Sequence, residues 1–175
     1  MYDLTANTGR VNVGIDHDTA EFAVESIRRW WREMGEETYP HARRLLITAD
    51  YGGSNGYRVR LWYRELQKLA DECRLTIQVC HLPLGTSKWN KSEYRMFCHI
   101  TANWLGGPLV SRQVVVNLIG NTATEAGMSI KAALDENPYT SGIKVSDEEM
   151  AALAIERDSF HGEWNYRLLS RNIQT

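Results

Sequence analysis

Three short apolar runs, VNVGID (Val11–Asp16), LLITAD (Leu45–Asp50) and LTIQV (Leu75–Val79), are each followed by a stretch of helical periodicity, and this alternation leaves few architectures open. The first run alternates Val11, Val13 and Ile15 with Asn12, Gly14 and Asp16, the period of a strand. The second is apolar almost throughout, as a strand covered on both faces would be. Between them Ala23, Ile27, Trp30, Trp31 and Met34 recur at helical spacing up to Gly35, with Asp18 and Glu21 placed as a capping box. Val59, Trp62, Leu66, Leu69, Ala70 and Cys73 outline a second amphipathic helix. Glu93 opens a third run carrying Met96, Phe97, Ile100 and Trp104, with Gly106, Gly107 and Pro108 as its stop. The order predicts an α/β layered domain with parallel pairing at least among the later strands.

Past Pro108 the pattern weakens. VSRQVVVNLIG (Val110–Gly120) fits a helix or a strand equally. Thr122 with Glu125, and Ser146 with Glu149, look like capping boxes of short helices, and DENPYTSG (Asp135–Gly142) reads as a turn or linker.

At 175 residues the chain is most simply one domain with a real core, 43% hydrophobic and 24% charged. No apolar run approaches the roughly 18 residues a membrane span needs, and MYDLTANTGR has no apolar signal core, so a cytoplasmic protein is expected. Cys73, Cys80 and Cys98 contain no CxxC pair and fit reduced thiols. A net charge of −2 weighs against a free-standing nucleic-acid-binding module. Local basic groups remain: Arg28, Arg29, Arg32, Arg43 and Arg44, and separately Lys88, Lys91 and Arg95, either of which reads also as a solvated surface.

In an open α/β sheet, functional groups gather at the carboxyl ends of the strands. Asp50 stands at such an end, and glycines at 52, 53 and 56 let the backbone turn sharply beside it. Glu93 begins the helix after the next strand and can point back toward the same edge. Two carboxylates held there repel unless a cation lies between them, and a hard ion such as Mg²⁺ or Mn²⁺ suits carboxylate and phosphate oxygens. That combination underlies two-metal phosphoryl transfer on nucleic acids. Both residues also have ordinary roles: an Asx turn for Asp50, and complementing a helix dipole for Glu93.

Other groups carry weaker signals. His81 either touches phosphate near the carboxylates or bonds a loop carbonyl. Cys80-His81 and Cys98-His99 are pairs that zinc tolerates, but neighbours on a strand face opposite ways, and cysteines packed beside a core are the competing reading. Trp89, between Lys88 and Lys91, suits stacking on a base or plugging a gap under its loop. Trp30 and Trp31 are expected to divide between core and partner surface. Ser54 and Ser87 have no partnered His/Asp pattern, and the glycine loop does not match GxxxxGK[ST].

The segments YDLTANTGRVNVGIDHDTAEFAVESIRRWW, LLITADYGGSNGYRVRLW, HLPLGTSKWNKSEYRMFCHI and GIKVSDEEMAAL…FHGEWNY resemble the Rhodopirellula-type family of bacterial insertion-sequence DDE transposases, over nearly the whole chain. The resemblance implies a ribonuclease-H-like three-layer core, a mixed sheet with helices on both faces. It implies three acids binding two divalent metals, Mg²⁺ or Mn²⁺, for DNA strand cleavage and strand transfer at transposon ends and target, with the enzyme acting at the nucleoid. By position Asp50 matches the second acid and Glu93 the third, with Lys88, Trp89, Lys91 and Arg95 as DNA contacts beside them. The first acid finds no match: the chain is expected to begin beyond the first, central strand. Asp3 and Asp16 are the available stand-ins, and Asp16 is expected instead to close its strand or help cap the next helix. Residues 1–108 are expected as the partial catalytic core and residues 109–175 as a helical extension of the same domain. Neighbours of a missing strand would have open edges, so a homo-oligomer is expected. Two further readings stand beside this one: a catalytically inactive remnant that only binds DNA or dimerises, and an unrelated phosphate-binding α/β domain.

Overall fold

Strands in the described residues (1–104, 110–124 and 127–172) of the computed structural model form two mixed sheets. In chain order the elements are β1 (Tyr2–Asp3), β2 (Thr8–Gly14), α1 (Ala20–Trp30), α2 (Glu36–Thr38), β3 (Arg44–Ala49), α3 (Arg60–Cys73) and β4 (Thr76–His81). There follow α4 (Cys98–Trp104), α5 (Arg112–Gly120), β5 (Ser129–Asp135), α6 (Asp147–Ala151), β6 (Ile155–Arg157) and β7 (Asn165–Leu168). The chain divides into two compact units, Met1–His17 with Ser87–Pro138, and Asp18–Thr86 with Tyr139–Thr175. The α/β class holds.

In the first unit the sheet order is β1-β2-β5. β1 runs antiparallel to β2, and β2 runs parallel to β5 in register from Thr8 opposite Ser129 to Gly14 opposite Asp135. Asp3 shapes the β1–β2 turn, its Oδ1 accepting the N–H groups of Thr5 and Ala6 at 2.9 and 3.0 Å. α5, whose N-cap Ser111 accepts the N–H of Val114, packs on β5. Tyr2, Met96, Ile100, Ile119, Met128 and Ile130 form the core between helices and sheet. The ambiguous run at Val110–Gly120 is thus a helix from Arg112, and β5 is a strand whose alternation of Ile130, Ala132 and Leu134 with Ser129, Lys131 and Ala133 carries the signal.

The second unit has sheet order β3-β4-β7-β6, with β3 and β4 parallel and the other pairs antiparallel. α3 lies against β4 and β7, and α1 packs on α3. Ile47, Ala49, Ile77, Val79, Tyr166 and Leu168 are buried, as are Trp62, Leu66 and Leu69 of α3. Gln67, 1% exposed, ties the margin together: its Nε2 donates to the Leu169 carbonyl at 2.8 Å and its Oε1 accepts the Ala154 N–H at 2.8 Å.

Several expectations change. β3 is not covered on both faces: Leu46 is 61% exposed and Thr48 is exposed, on the face where Gln78 of β4, opposite Leu46, is exposed too, while Ile47 and Ala49 are buried on the other. An apolar run alone does not show that both faces of a strand are covered. The cap of α1 is Thr19, whose Oγ1 accepts the Phe22 N–H at 3.2 Å, while Asp18 instead accepts from the Ser54 hydroxyl at 2.8 Å. Gly35 does not end that helix; a π-helical turn (Trp31–Gly35) carries it on into α2. Trp30 and Trp31 are both buried, so neither serves a partner surface. Residues 109–175, expected to be helical, contribute β5, β6 and β7 besides α5 and α6. Ser146 and Glu149 do form a capping box for α6. No helix covers Thr122–Thr124, and Glu125, like the stop at Gly106, Gly107 and Pro108, lies outside the described residues. No described helix is long and apolar enough to cross a membrane.

Candidate functional site

The second unit presents Asp50 at the carboxyl end of β3, immediately after Ala49. Its side chain is exposed, while its backbone is anchored from below. His81, 4% exposed at the end of the neighbouring parallel strand β4, places Nδ1 at 3.0 Å from the Asp50 carbonyl and Nε2 at 3.0 Å from the Tyr166 hydroxyl. A carbonyl only accepts, so Nδ1 carries the proton and Nε2 accepts from Tyr166. Tyr166 in turn accepts from Trp62 Nε1 at 2.9 Å. With the imidazole neutral, the chain runs from Trp62 through Tyr166 and His81 to the Asp50 carbonyl. Burial pushes the His81 pKa below its ordinary value, against a smaller opposing effect of the Asp50 carbonyl. Burial likewise pushes the Tyr166 phenol up. Of the two roles open to His81, the bond to a loop carbonyl is the one the structure shows.

The glycine loop after Asp50 is a backbone requirement at two points. Gly53 has φ +82°, and a Cβ on Gly56 would lie 3.1 Å from the Gly53 carbonyl and the Gly52 Cα. The tight turn brings Tyr57 back to Tyr51, their hydroxyls 3.0 Å apart. Arg58 Nε donates to the Tyr57 hydroxyl at 2.6 Å, and Tyr63 donates to the Tyr57 carbonyl at 2.5 Å. Trp164 meets both Tyr51 and Tyr57 edge-on and stacks on His161 at 5.0 Å. This arginine-aromatic cluster had no sequence signal, because Arg58, Arg157 and Trp164 share no spacing.

Glu93 belongs to the first unit. It begins a π-helical turn (Glu93–Phe97) that leads into α4, with its side chain exposed and its N–H donated to the Asn90 carbonyl at 3.2 Å. Just before it the chain makes a 3₁₀ turn at Ser87–Trp89, where Lys88 is exposed and Trp89 is 58% exposed. Lys91 is exposed too. Arg95 leaves on another side of the helical turn, lining a groove of about 860 Å³ with Tyr94, His99 and Asn7. Exposure of Trp89 removes the gap-filling alternative.

Of the other basic group, Arg43 and Arg44 are exposed, while the three on and after α1 pair with carboxylates. Arg28 pairs with Glu25 at 2.6 Å and Glu72 at 2.8 Å, Arg29 with Glu25 at 2.9 Å, and Arg32 with Glu72 at 3.5 Å. Asp3 is a turn residue, and Asp16 lies past the end of β2 in contact with the His17 ring. Neither caps α1. Cys80 is half-buried and Cys98 exposed, and burial pushes the Cys80 thiol up.

Asp50 and Glu93 both offer exposed carboxylate oxygens, the donor type a hard divalent ion takes, so each fits as a ligand of Mg²⁺ or Mn²⁺. Among the described residues no three His, Cys, Asp or Glu side chains gather into a ready cluster. Comparison with curated proteins finds no match, and comparison with solved structures finds none. The Rhodopirellula transposase DDE domain family matches residues 1–170, with both acids and the whole of each unit's described sheet inside the match. The chain belongs to that family of transposase DDE domains.

Proposed function

We propose that this chain forms part of a ribonuclease-H-like catalytic core that cleaves DNA strands and transfers them, with Asp50 and Glu93 as metal-ligating acids. The family match across residues 1–170 carries this reading, since it spans both acids and the loops that present them. Asp50 contributes a carboxylate on a backbone held still by His81, which limits the reorganisation needed when charge gathers opposite it. Glu93 contributes the second carboxylate from the start of its helical turn. A bound Mg²⁺ or Mn²⁺ supplies neutralisation of phosphate charge and activation of the attacking hydroxyl. Lys88 and Lys91 hold backbone phosphates as point charges, Trp89 stacks on a base or ribose, and Arg95 takes a phosphate from the groove it lines. Transposon ends and target are the DNA partners. Self-association is part of the reading: among the described strands β3 pairs with β4 alone, and Leu46 on β3 is 61% exposed.

Calorimetric titration of Mn²⁺ tests the metal claim. Binding to the wild-type chain that is weakened in Asp50→Asn and again in Glu93→Gln supports both acids as ligands. Equal affinity in all three proteins refutes it.

A second reading, a chain that binds DNA or dimerises without chemistry, is favoured by the net charge of −2. It predicts DNA binding that Mn²⁺ leaves unchanged, together with no strand cleavage in any metal.

A further inference from the structure

Beside the Asp50 loop, within the second unit, lies an open pocket of about 440 Å³, large enough for a nucleotide. Its walls include Tyr57, Arg58, Tyr63 and Arg157. Each arginine lies over an aromatic ring: Arg58 is 5.1 Å from the Tyr57 centroid, and Arg157 is 5.8 Å from that of Tyr63. Arg60, also on the wall, is neutralised by Asp147 at 2.6 Å. Arg58 and Arg157 are different. Among the described residues neither forms an ion pair; Arg58 donates to a phenol and Arg157 to the Gly162 carbonyl at 2.9 Å. One carboxylate faces the pocket, Glu163, which sits 3.3 Å from His161 Nδ1. Two guanidinium forks against one carboxylate leave the pocket short of an anion, and the planar fork suits a phosphate bidentately.

Aromatic rings extend from this pocket. Phe160, 71% exposed, meets His161 at 4.5 Å, His161 stacks on Trp164, and Trp164 meets Tyr57 and Tyr51 beside Asp50. Exposed rings beside phosphate-binding arginines suit unstacked bases, which a duplex keeps inside.

We propose that the pocket of Tyr57, Arg58, Tyr63 and Arg157 seats a phosphodiester of single-stranded DNA, whose bases lie along Phe160 and Trp164 next to the Asp50 loop. This rests on the reading of the chain as acting on DNA. It names a strand-binding subsite separate from Lys88, Trp89, Lys91 and Arg95, and one that needs no metal.

The test is fluorescence anisotropy of a labelled single-stranded oligonucleotide with the full chain, in EDTA, over a range of salt. Each phosphate contact on a single strand contributes about 0.7 to the slope of log affinity against log salt, which is roughly an eightfold change in Kd at about 50 mM. Arg58→Gln and Arg157→Gln should each lose about that slope and affinity. Arg58→Lys should keep most of the slope, and Phe160→Ala should weaken binding with the slope intact. Arg167→Gln on β7, whose guanidinium pairs with Glu156, should bind as wild type. Wild-type binding in the two glutamine variants overturns the subsite while leaving the DNA reading standing. No binding by the wild-type chain, with or without Mn²⁺, overturns both. Displacement of the oligonucleotide by inorganic phosphate, beyond that by chloride at equal ionic strength, shows a free-phosphate site and overturns the strand assignment.

Discussion

Acidification should destabilise the second unit through His81. The ring is 4% exposed and in its hydrogen-bond chain Nε2 accepts from Tyr166, so the folded state resists protonation. Its pKa is lowered from 6.5 by burial. The unfolded chain, free to protonate near 6.5, takes up a proton that the folded chain refuses, so stability is flat above that value and falls below it until the lowered folded pKa is reached. The slope is at most about 1.4 kcal/mol per pH unit for one proton, and the loss stops growing once the pH falls below the lowered folded pKa. Protonation also removes the acceptor that Tyr166 donates to, so the same change loosens the anchor under Asp50. Urea denaturation followed by tryptophan fluorescence between about pH 8 and pH 5 measures this. His81→Asn, whose amide nitrogen can replace Nδ1 but does not titrate, supplies the control, and the difference between the two curves isolates His81 from every other titrating group. Parallel curves for wild type and variant would refute the reasoning, as would a stability that rises on acidification only in the wild type.

Three other perturbations have defined outcomes. Gln67→Leu keeps the volume but leaves the Ala154 N–H and the Leu169 carbonyl unpaired, and should cost roughly 2–4 kcal/mol in chemical denaturation. Gly53→Ala places a Cβ at φ +82° and should cost about 1 kcal/mol, with reduced Mn²⁺ affinity because the turn beside Asp50 shifts. Leu46→Lys puts a charge on the outer strand of the second unit's sheet; light scattering should find wild type associated and the variant monomeric, and an unchanged mass would remove the role given to β3.

The two long helices were legible because their apolar residues repeat at helical spacing and bury one face, as Val24, Ile27 and Trp30 do in α1 and Trp62, Leu66 and Leu69 in α3. Asp50 and Glu93 were legible as positions at the end of a strand and the start of a helical turn. β3 was misjudged because LLITA is apolar whichever side meets solvent, and only the burial of the face with Ile47 and Ala49 leaves Leu46 on the exposed one. β6 and β7 span three and four residues, too short for alternation to register, and β7 matters because Tyr166 completes the anchor under Asp50. The partner of His81 is a backbone carbonyl 31 residues away, which no residue identity encodes. The cap of α1 fell on Thr19 rather than Asp18 because Asp18 is engaged by Ser54 of the glycine loop, a contact made only in the folded chain.

The central claim is that Asp50 and Glu93 are both ligands of divalent metal. Iron-directed backbone cleavage measures this without relying on turnover: Fe²⁺ substituted for the metal, with ascorbate and peroxide, cuts the polypeptide where the iron is bound. Fragments ending near residue 50 that are lost in Asp50→Asn, and near residue 93 that are lost in Glu93→Gln, all suppressed by excess Mg²⁺, are the predicted result. Cutting near only one of the two, or at both in either variant, would contradict it.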